Sequence, residues 1–223
     1  MLEALRQAAA PLLAPAFHAG GAPFTWLELG ASALALAMVA ANFRVHPVAW
    51  PLAIASSLGY ALLFAASRLY GEASLQLYFA AAGVWGWWEW VRGTGADGAP
   101  LRVHRLSARA RVAVAAATLA AWPAAGLLLA HATDSDVPYL DALPTVGSIA
   151  GQLLLGRKLV ENWPVWLAVD LVSTIVFAVK GLWLTVGLYA VFCVLAAWGW
   201  RSWARLADAQ AGGLPAAPVP ARR

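Results

Sequence analysis

A chain of 223 residues with 62% hydrophobic and only 12% charged residues, and a mean hydropathy of +0.68, lies outside the range of a soluble domain and reads as an integral membrane protein. Its net charge of +4 sits between apolar runs rather than on a soluble face, which argues against nucleic acid and makes the charge a marker of topology. The single cysteine, Cys193, excludes an intrachain disulfide, and no spacing of ligands suggests a metal or another cofactor.

In chain order, the first twenty residues contain one acid, one Arg and two prolines in a weak apolar stretch. That is a poor signal peptide, and a short interfacial helix or frayed tail is expected. Segments of about 17 to 25 apolar residues cross a hydrocarbon core of roughly 30 Å as helices. Seven are predicted, approximately Phe24 to Ala41, Ala49 to Ser67, Ala73 to Val91, Val112 to Ala132, Tyr139 to Gly156, Trp163 to Val179 and Leu182 to Trp203. Pro, Gly or charged residues mark their boundaries. The tail, residues 206–223, is rich in Pro, Gly and Ala and is expected to be disordered.

Short loops rich in Lys and Arg stay in the cytoplasm. The loops after the first, third, fifth and seventh spans carry twelve such residues, from Arg44 through the Arg102 to Arg111 cluster to Arg223. The other side carries three, Arg6, Arg68 and Lys180, and its loop HATDSDVPYLD is purely acidic. The amino terminus is therefore expected outside and the carboxyl terminus in the cytoplasm of a multi-pass cell-membrane protein.

The hexapeptides WGWWEW (residues 85–90) and WGWRSW (residues 198–203) lie 113 residues apart. In the same ungapped register Trp50 falls on Trp163, Pro51 on Pro164, Gly86 on Gly199 and Trp90 on Trp203. Four Trp pairs and a Pro in one register indicate an internal duplication, with the unpaired fourth span turning the second copy to the orientation of the first. The predicted fold is all-α, seven transmembrane helices in a three-plus-one-plus-three parallel repeat. Its parts are an amino-terminal segment (1–23), a first three-helix repeat (24–92), an Arg-rich loop with a linker helix (93–132), a second repeat (139–205) and the tail. The two Gly are expected to permit close helix approach. Trp90 and Trp203 are expected in an interfacial aromatic belt, whereas Trp85, Trp87 and Trp88 cannot all face lipid.

Site chemistry must come from polar residues within the spans, because each is costly there and faces a cavity or a neighbouring helix. Thr145, Ser148 and Gln152 form one helical stripe, and Trp166, Asp170, Ser173 and Phe177 another. Ser57 and Tyr60 are the register equivalents of Asp170 and Ser173. Interhelical hydrogen bonding accounts for Thr145 or Ser57 taken singly, but a carboxylate seven residues into a span, Asp170, points to function. The candidate substrate-binding residues are Gln76, Trp88, Gln152, Asn162, Trp166, Asp170 and Ser173. In this reading an indole stacks on a planar heterocycle, amides and hydroxyls meet polar substituents, and Asp170 and Ser173 address charge or hydroxyls.

The segment LYGEASLQLYFAAAGVWGWWEW and the stretch from GQLLLGRKLVENW through VFAVKGLWL to AAWGWRSW resemble the nicotinamide riboside transporter PnuC family and its vitamin-transporting relatives. LQ-x-YF, W-G-W, the basic pair of GRK, E-N-W and K-G-L carry the resemblance, which covers about residues 24 to 205. Asp170 stands where the resemblance leads to an expectation of Asn. The resemblance implies a SWEET-like bundle, often a homotrimer, through which a phosphate-free vitamin precursor diffuses down its gradient. A cytosolic kinase then traps it by phosphorylation. It implies nicotinamide riboside first, as a supply for NAD biosynthesis across the inner membrane, with thiamine and riboflavin as alternatives. No P-loop or nucleotide-hydrolysis motif is present to suggest pumping. A membrane-embedded enzyme would have to use His46, His104, Asp134 and Asp136, whose loops fall on opposite sides of the predicted topology. A scaffold subunit would show a long soluble arm or lipid-facing polar residues, and neither is visible.

Overall fold

The computed structural model describes residues 10–19, 22–66, 70–95, 97–132, 138–179 and 183–212. Seven long helices are complete among these residues: α1 (Trp26–Phe43), α2 (Ala49–Ala66), α3 (Tyr70–Arg92), α4 (Ala108–Ala132), α5 (Pro138–Gly156), α6 (Asn162–Val179) and α7 (Trp183–Ala211). They coincide with the seven predicted spans to within a few residues at most ends, but α7 runs on to Ala211, so residues 206–211, expected in a disordered tail, are helical. The chain falls into two compact units, Met1–Val91 and Arg92–Arg223.

The first unit departs from an all-helical reading at its start. After a helical stretch at residues 10–13, β1 (Pro15–Ala19) and β2 (Ala22–Thr25) pair antiparallel, with Phe17 and Phe24 stacked at 5.0 Å. The interfacial helix or frayed tail expected of the first twenty residues lies outside the described residues for positions 1–9; from Pro15 a hairpin forms, where short runs carrying aromatics flank a two-residue Gly pair in the sequence. Thr25 then caps α1 by accepting from the Glu28 amide at 3.1 Å.

Small residues let α1 and α2 approach. Ala31 is buried, and a Cβ at Gly59 would lie 3.2 Å from its methyl. Ser56 Oγ donates to the Ala31 carbonyl at 2.8 Å, and the Ser32 and Tyr60 hydroxyls share a hydrogen bond at 2.7 Å. On α3, Gly86 seats the ring of Trp50, with no room for a Cβ between them. Trp90 meets that ring edge-on at 5.4 Å and 87°.

The second unit repeats this arrangement. Gly199 of α7 seats Trp163 of α6, and Trp203 meets it edge-on at 5.7 Å and 81°. Trp90 and Trp203 are buried, at 6% and 0% exposure, which corrects the aromatic-belt expectation for them. An aromatic pair with edge-to-face geometry gains about 0.5 to 1.5 kcal/mol beyond burial, and a glycine opposite is what admits the ring. The outward indoles of the two Trp-Gly-Trp runs are Trp87, Trp88, Trp198 and Trp200.

The turns after α1 and α5 match bond for bond at the same 113-residue offset. Val45 donates to the Asn42 carbonyl and His46 to that of Ala41; Lys158 donates to that of Leu155 and Leu159 to that of Leu154. This is the paired closure of a Schellman cap, and its left-handed residue is Val45 (φ 51°) in one copy and Lys158 (φ 53°) in the other. α2 and α6 begin and end at equivalent positions, 49 and 162, 66 and 179.

Three helices, Trp26–Phe43, Ala49–Ala66 and Ala108–His131, are long and apolar enough on their own to cross a membrane, and Asn162–Val176 is a shorter apolar stretch. The remaining predicted spans are diluted by polar and small residues such as Asp141, Gln152, Gly151 and the Trp-Gly-Trp runs, which is how a helix packed among others reads. α4 keeps Val112, Leu119, Leu127 and Leu128 outward, at 52–69% exposure, as a lipid-facing helix does.

At one end of this unit the Arg-rich loop is tied down. His104 exchanges backbone hydrogen bonds with Lys158 and Val160. Lys158 Nζ donates to the Leu101 carbonyl at 3.0 Å, and burial lowers the pKa of its ammonium. Glu161 accepts from the Leu106 amide at 3.1 Å and from Arg111 Nε at 2.9 Å. Arg105 pairs with Asp208 of α7 at 3.0 Å. The loops after the third and fifth spans and the end of the seventh therefore share one end of the unit.

Candidate functional site

The α5 and α6 helices run antiparallel through a short connection and touch at two glycines. A Cβ on Gly147 would strike Val169, and one on Gly151 would lie 3.0 Å from Cε2 of Trp166. Gly147 and Gly151 form the G-x-x-x-G spacing in GSIAG that brings membrane helices close. One residue further along each helix stand Ser148, Gln152 and Asp170. A step of one residue turns a side chain by about 100°, and in an antiparallel pair of right-handed helices this rotates both sets to the same flank. Ser173, one turn beyond Val169, extends that flank.

These four side chains are buried: Ser148 is 9% exposed, Gln152 7%, Asp170 8% and Ser173 6%. Among the described residues none of the four makes a side-chain hydrogen bond, and no Lys, Arg or His lies within ion-pair distance of Asp170. The hydroxyls that could be explained locally are satisfied locally. Thr145 Oγ1 donates to the Asp141 carbonyl at 3.0 Å and Thr174 Oγ1 to that of Asp170 at 2.7 Å. In the first unit Ser32, Ser56 and Tyr60 are likewise engaged. Polar side chains that make no hydrogen bond among the described residues thus line one flank of α5 and α6, while fully enclosed polar atoms without a partner, such as Trp50 Nε1 and Asn162 Oδ1, lie elsewhere.

The structure brings together four of the sequence-predicted residues, Gln152, Trp166, Asp170 and Ser173, with Ser148 between them. Asn162 is fully buried at the start of α6, two turns away from Asp170, and its Nδ2 donates to the Leu159 carbonyl at 2.6 Å. It secures the turn, while its Oδ1 has no partner among the described residues. Gln76 and Trp88 belong to α3 of the first unit, where Gln76 is half-buried and Trp88 is 58% exposed. Of the four residues that a membrane-embedded enzyme would have to use, two are described. His46 accepts from the Val48 amide and His104 bonds the Arg102 carbonyl, while Asp134 and Asp136 lie outside the described residues. Gly147 and Gly151, which set the flank, are the residues that reasoning from polar stripes misses; their four-residue spacing was the available signal.

Residues 25–205 match the family described as Nicotinamide mononucleotide transporter. The chain belongs to that family. Within it, the chain is 32% identical over 182 residues to the riboflavin/roseoflavin transporter RibM of Streptomyces davaonensis, covering 80% of this chain and 84% of that one. It is 24% identical over 209 residues to the nicotinamide riboside transporter PnuC of Escherichia coli, covering 83% and 87%. Its fold is similar to the crystal structure of the vitamin B3 transporter PnuC, with a TM-score of 0.67 at 22% identity and 82% coverage of each chain. Family membership and the apolar helices place the protein in the cell membrane as a multi-pass vitamin transporter. The relatives are transporters, which favours transport over catalysis.

Proposed function

We propose that this transporter carries a phosphate-free vitamin precursor, nicotinamide riboside first, across the membrane by facilitated diffusion, with cytosolic phosphorylation trapping it for NAD biosynthesis. The observation that carries the reading is the α5–α6 flank. Ser148, Gln152, Asp170 and Ser173 are buried with no side-chain hydrogen bond among the described residues, beside the indole of Trp166. Such a surface is stabilised by a ligand that offers a ring face and several polar groups. Gln76 and Trp88 are proposed as the first repeat's contribution, and Asn162 as a support of the α6 end.

The proposal takes the seven helices as spans of a SWEET-like three-plus-one-plus-three bundle, and what supports it is the matched caps and Trp-Gly seats of the two repeats. Alternating closure of the repeats then exposes the site to each side in turn. The amino terminus is outside, the carboxyl terminus cytoplasmic, and the assembly a homotrimer; for the orientation the support is the distribution of Lys and Arg, and for the trimer the family resemblance.

A second reading, riboflavin as substrate, is favoured by the 32% identity to a riboflavin transporter. Uptake by proteoliposomes of labelled nicotinamide riboside, riboflavin and thiamine, each against protein-free liposomes, separates these. Nicotinamide riboside entry is expected. Riboflavin entry alone would establish the second reading, and entry of none of the three would overturn the transport proposal.

A further inference from the structure

We infer that the α5–α6 flank reads the hydroxylated five-carbon chain of its substrate, and that Asp170 is the residue that sets this specificity by accepting hydrogen bonds from neighbouring hydroxyls. The inference rests on the transport reading and says which part of the ligand the site selects.

The donor and acceptor set argues for it. Asp170 carries an acceptor-only carboxylate able to take two hydroxyl protons at once, Ser148 and Ser173 each donate and accept, and Gln152 does both through separate atoms. A single cation would be matched by the carboxylate alone and would leave the two hydroxyls and the amide unsatisfied on the same buried flank. A chain with several adjacent hydroxyls meets all four groups. The flank is also asymmetric between the repeats. The register equivalents of Asp170 and Ser173 are Ser57 and Tyr60, and Tyr60 is occupied by Ser32, so of this register pair only the second repeat offers a carboxylate. The chemistry of the relatives' substrates agrees. Riboflavin is neutral and nicotinamide riboside is cationic, so charge is not what they share; both carry a polyhydroxylated five-carbon chain on a ring nitrogen. Charge-assisted hydrogen bonds to hydroxyls are stronger than neutral ones, which gives a buried carboxylate the largest share of the discrimination.

A thermodynamic cycle on the purified full-length protein tests this by calorimetry. One axis is wild type against Asp170→Asn. The other is the intact vitamin against an analogue lacking hydroxyls: riboflavin against lumiflavin, and nicotinamide riboside against its 2′-deoxy and 3′-deoxy forms. Loss of the hydroxyls is expected to weaken binding to wild type by roughly tenfold to a hundredfold and to change binding to Asp170→Asn by threefold or less. Equal losses in both proteins would overturn the inference. So would an Asp170→Asn protein that loses affinity for the cationic riboside and keeps it for riboflavin, since the carboxylate would then be reading charge. If Asp170→Asn fails to fold, as judged by size exclusion and circular dichroism, Ser173→Ala replaces it in the same cycle under the same criteria. A wild type that binds neither vitamin would overturn the transport reading itself, whereas binding with additive losses overturns only the assignment of Asp170.

Discussion

Gly86 and Gly199 each face the ring of a Trp on the preceding helix, with no room between them for a Cβ. A methyl group at either position enters the space of the indole, and overpacking of this kind costs about 1 to 3 kcal/mol. Gly86→Ala and Gly199→Ala are therefore expected to lower the thermal unfolding temperature in detergent. Gly30→Ala and Gly187→Ala, whose added Cβ would meet nothing within 4 Å, should be neutral or stabilising through helix propensity. Unchanged unfolding of the first pair would mean that the Trp seats are looser than described. The register alone shows these Trp and Gly positions to be equivalent. It does not show that Trp90 and Trp203 point inward, because an indole near a helix end suits an interface as well as a core, and the ring that decides between them lies 40 residues earlier in the chain. Asp170 was legible as costly from its depth in a span; that Ser148 shares its flank depends on the rotation of a neighbouring helix, which one stripe of sequence does not contain.

Among the elements, the caps of α1 and α5 carry the clearest strain. Val45 holds φ 51°, a conformation that crowds Cβ against the backbone at a cost of about 1 to 2 kcal/mol outside glycine. Part of that gain is offset by the greater freedom of glycine in the unfolded chain. Val45→Gly is expected to stabilise by about 0.5 to 1 kcal/mol, read as a higher midpoint of denaturation. Lys158→Gly at the equivalent position should not stabilise, because it also removes the hydrogen bond to the Leu101 carbonyl. A destabilised Val45→Gly would contradict the assignment of strain. The helices themselves were readable because apolar runs bounded by Pro, Gly and charge have the length of a bilayer. The β1–β2 hairpin was not, since Pro15 and Pro23 count against strands and only a Gly pair argues for a turn. The closeness of α5 and α6 was encoded in G-x-x-x-G, a spacing weaker to the eye than the Trp clusters beside it.

At the scale of the whole molecule, the proposed duplication accounts for the shared caps, Trp seats and helix bounds of the two halves, while among the described residues the buried carboxylate Asp170 stands in the second half, opposite Ser57 in the register of the first. In the proposed reading a shared frame holds the bundle, and divergence within one repeat supplies recognition. The proposed orientation rests on the distribution of Lys and Arg. In a Cys193→Ser background, an impermeant thiol reagent applied to intact cells should label Ser135→Cys, in the acidic loop outside the described residues, and spare Ser107→Cys at the Arg-rich loop. The reverse pattern would invert the topology. The central claim is passive movement of a vitamin through this bundle, and its most direct measurement is uptake into proteoliposomes without ATP or ion gradients, followed to completion. The substrate should reach the same concentration inside as outside, at a rate lowered by Asp170→Asn and by Trp166→Ala, and remain there. Accumulation many-fold above the external level in such vesicles would contradict facilitated diffusion.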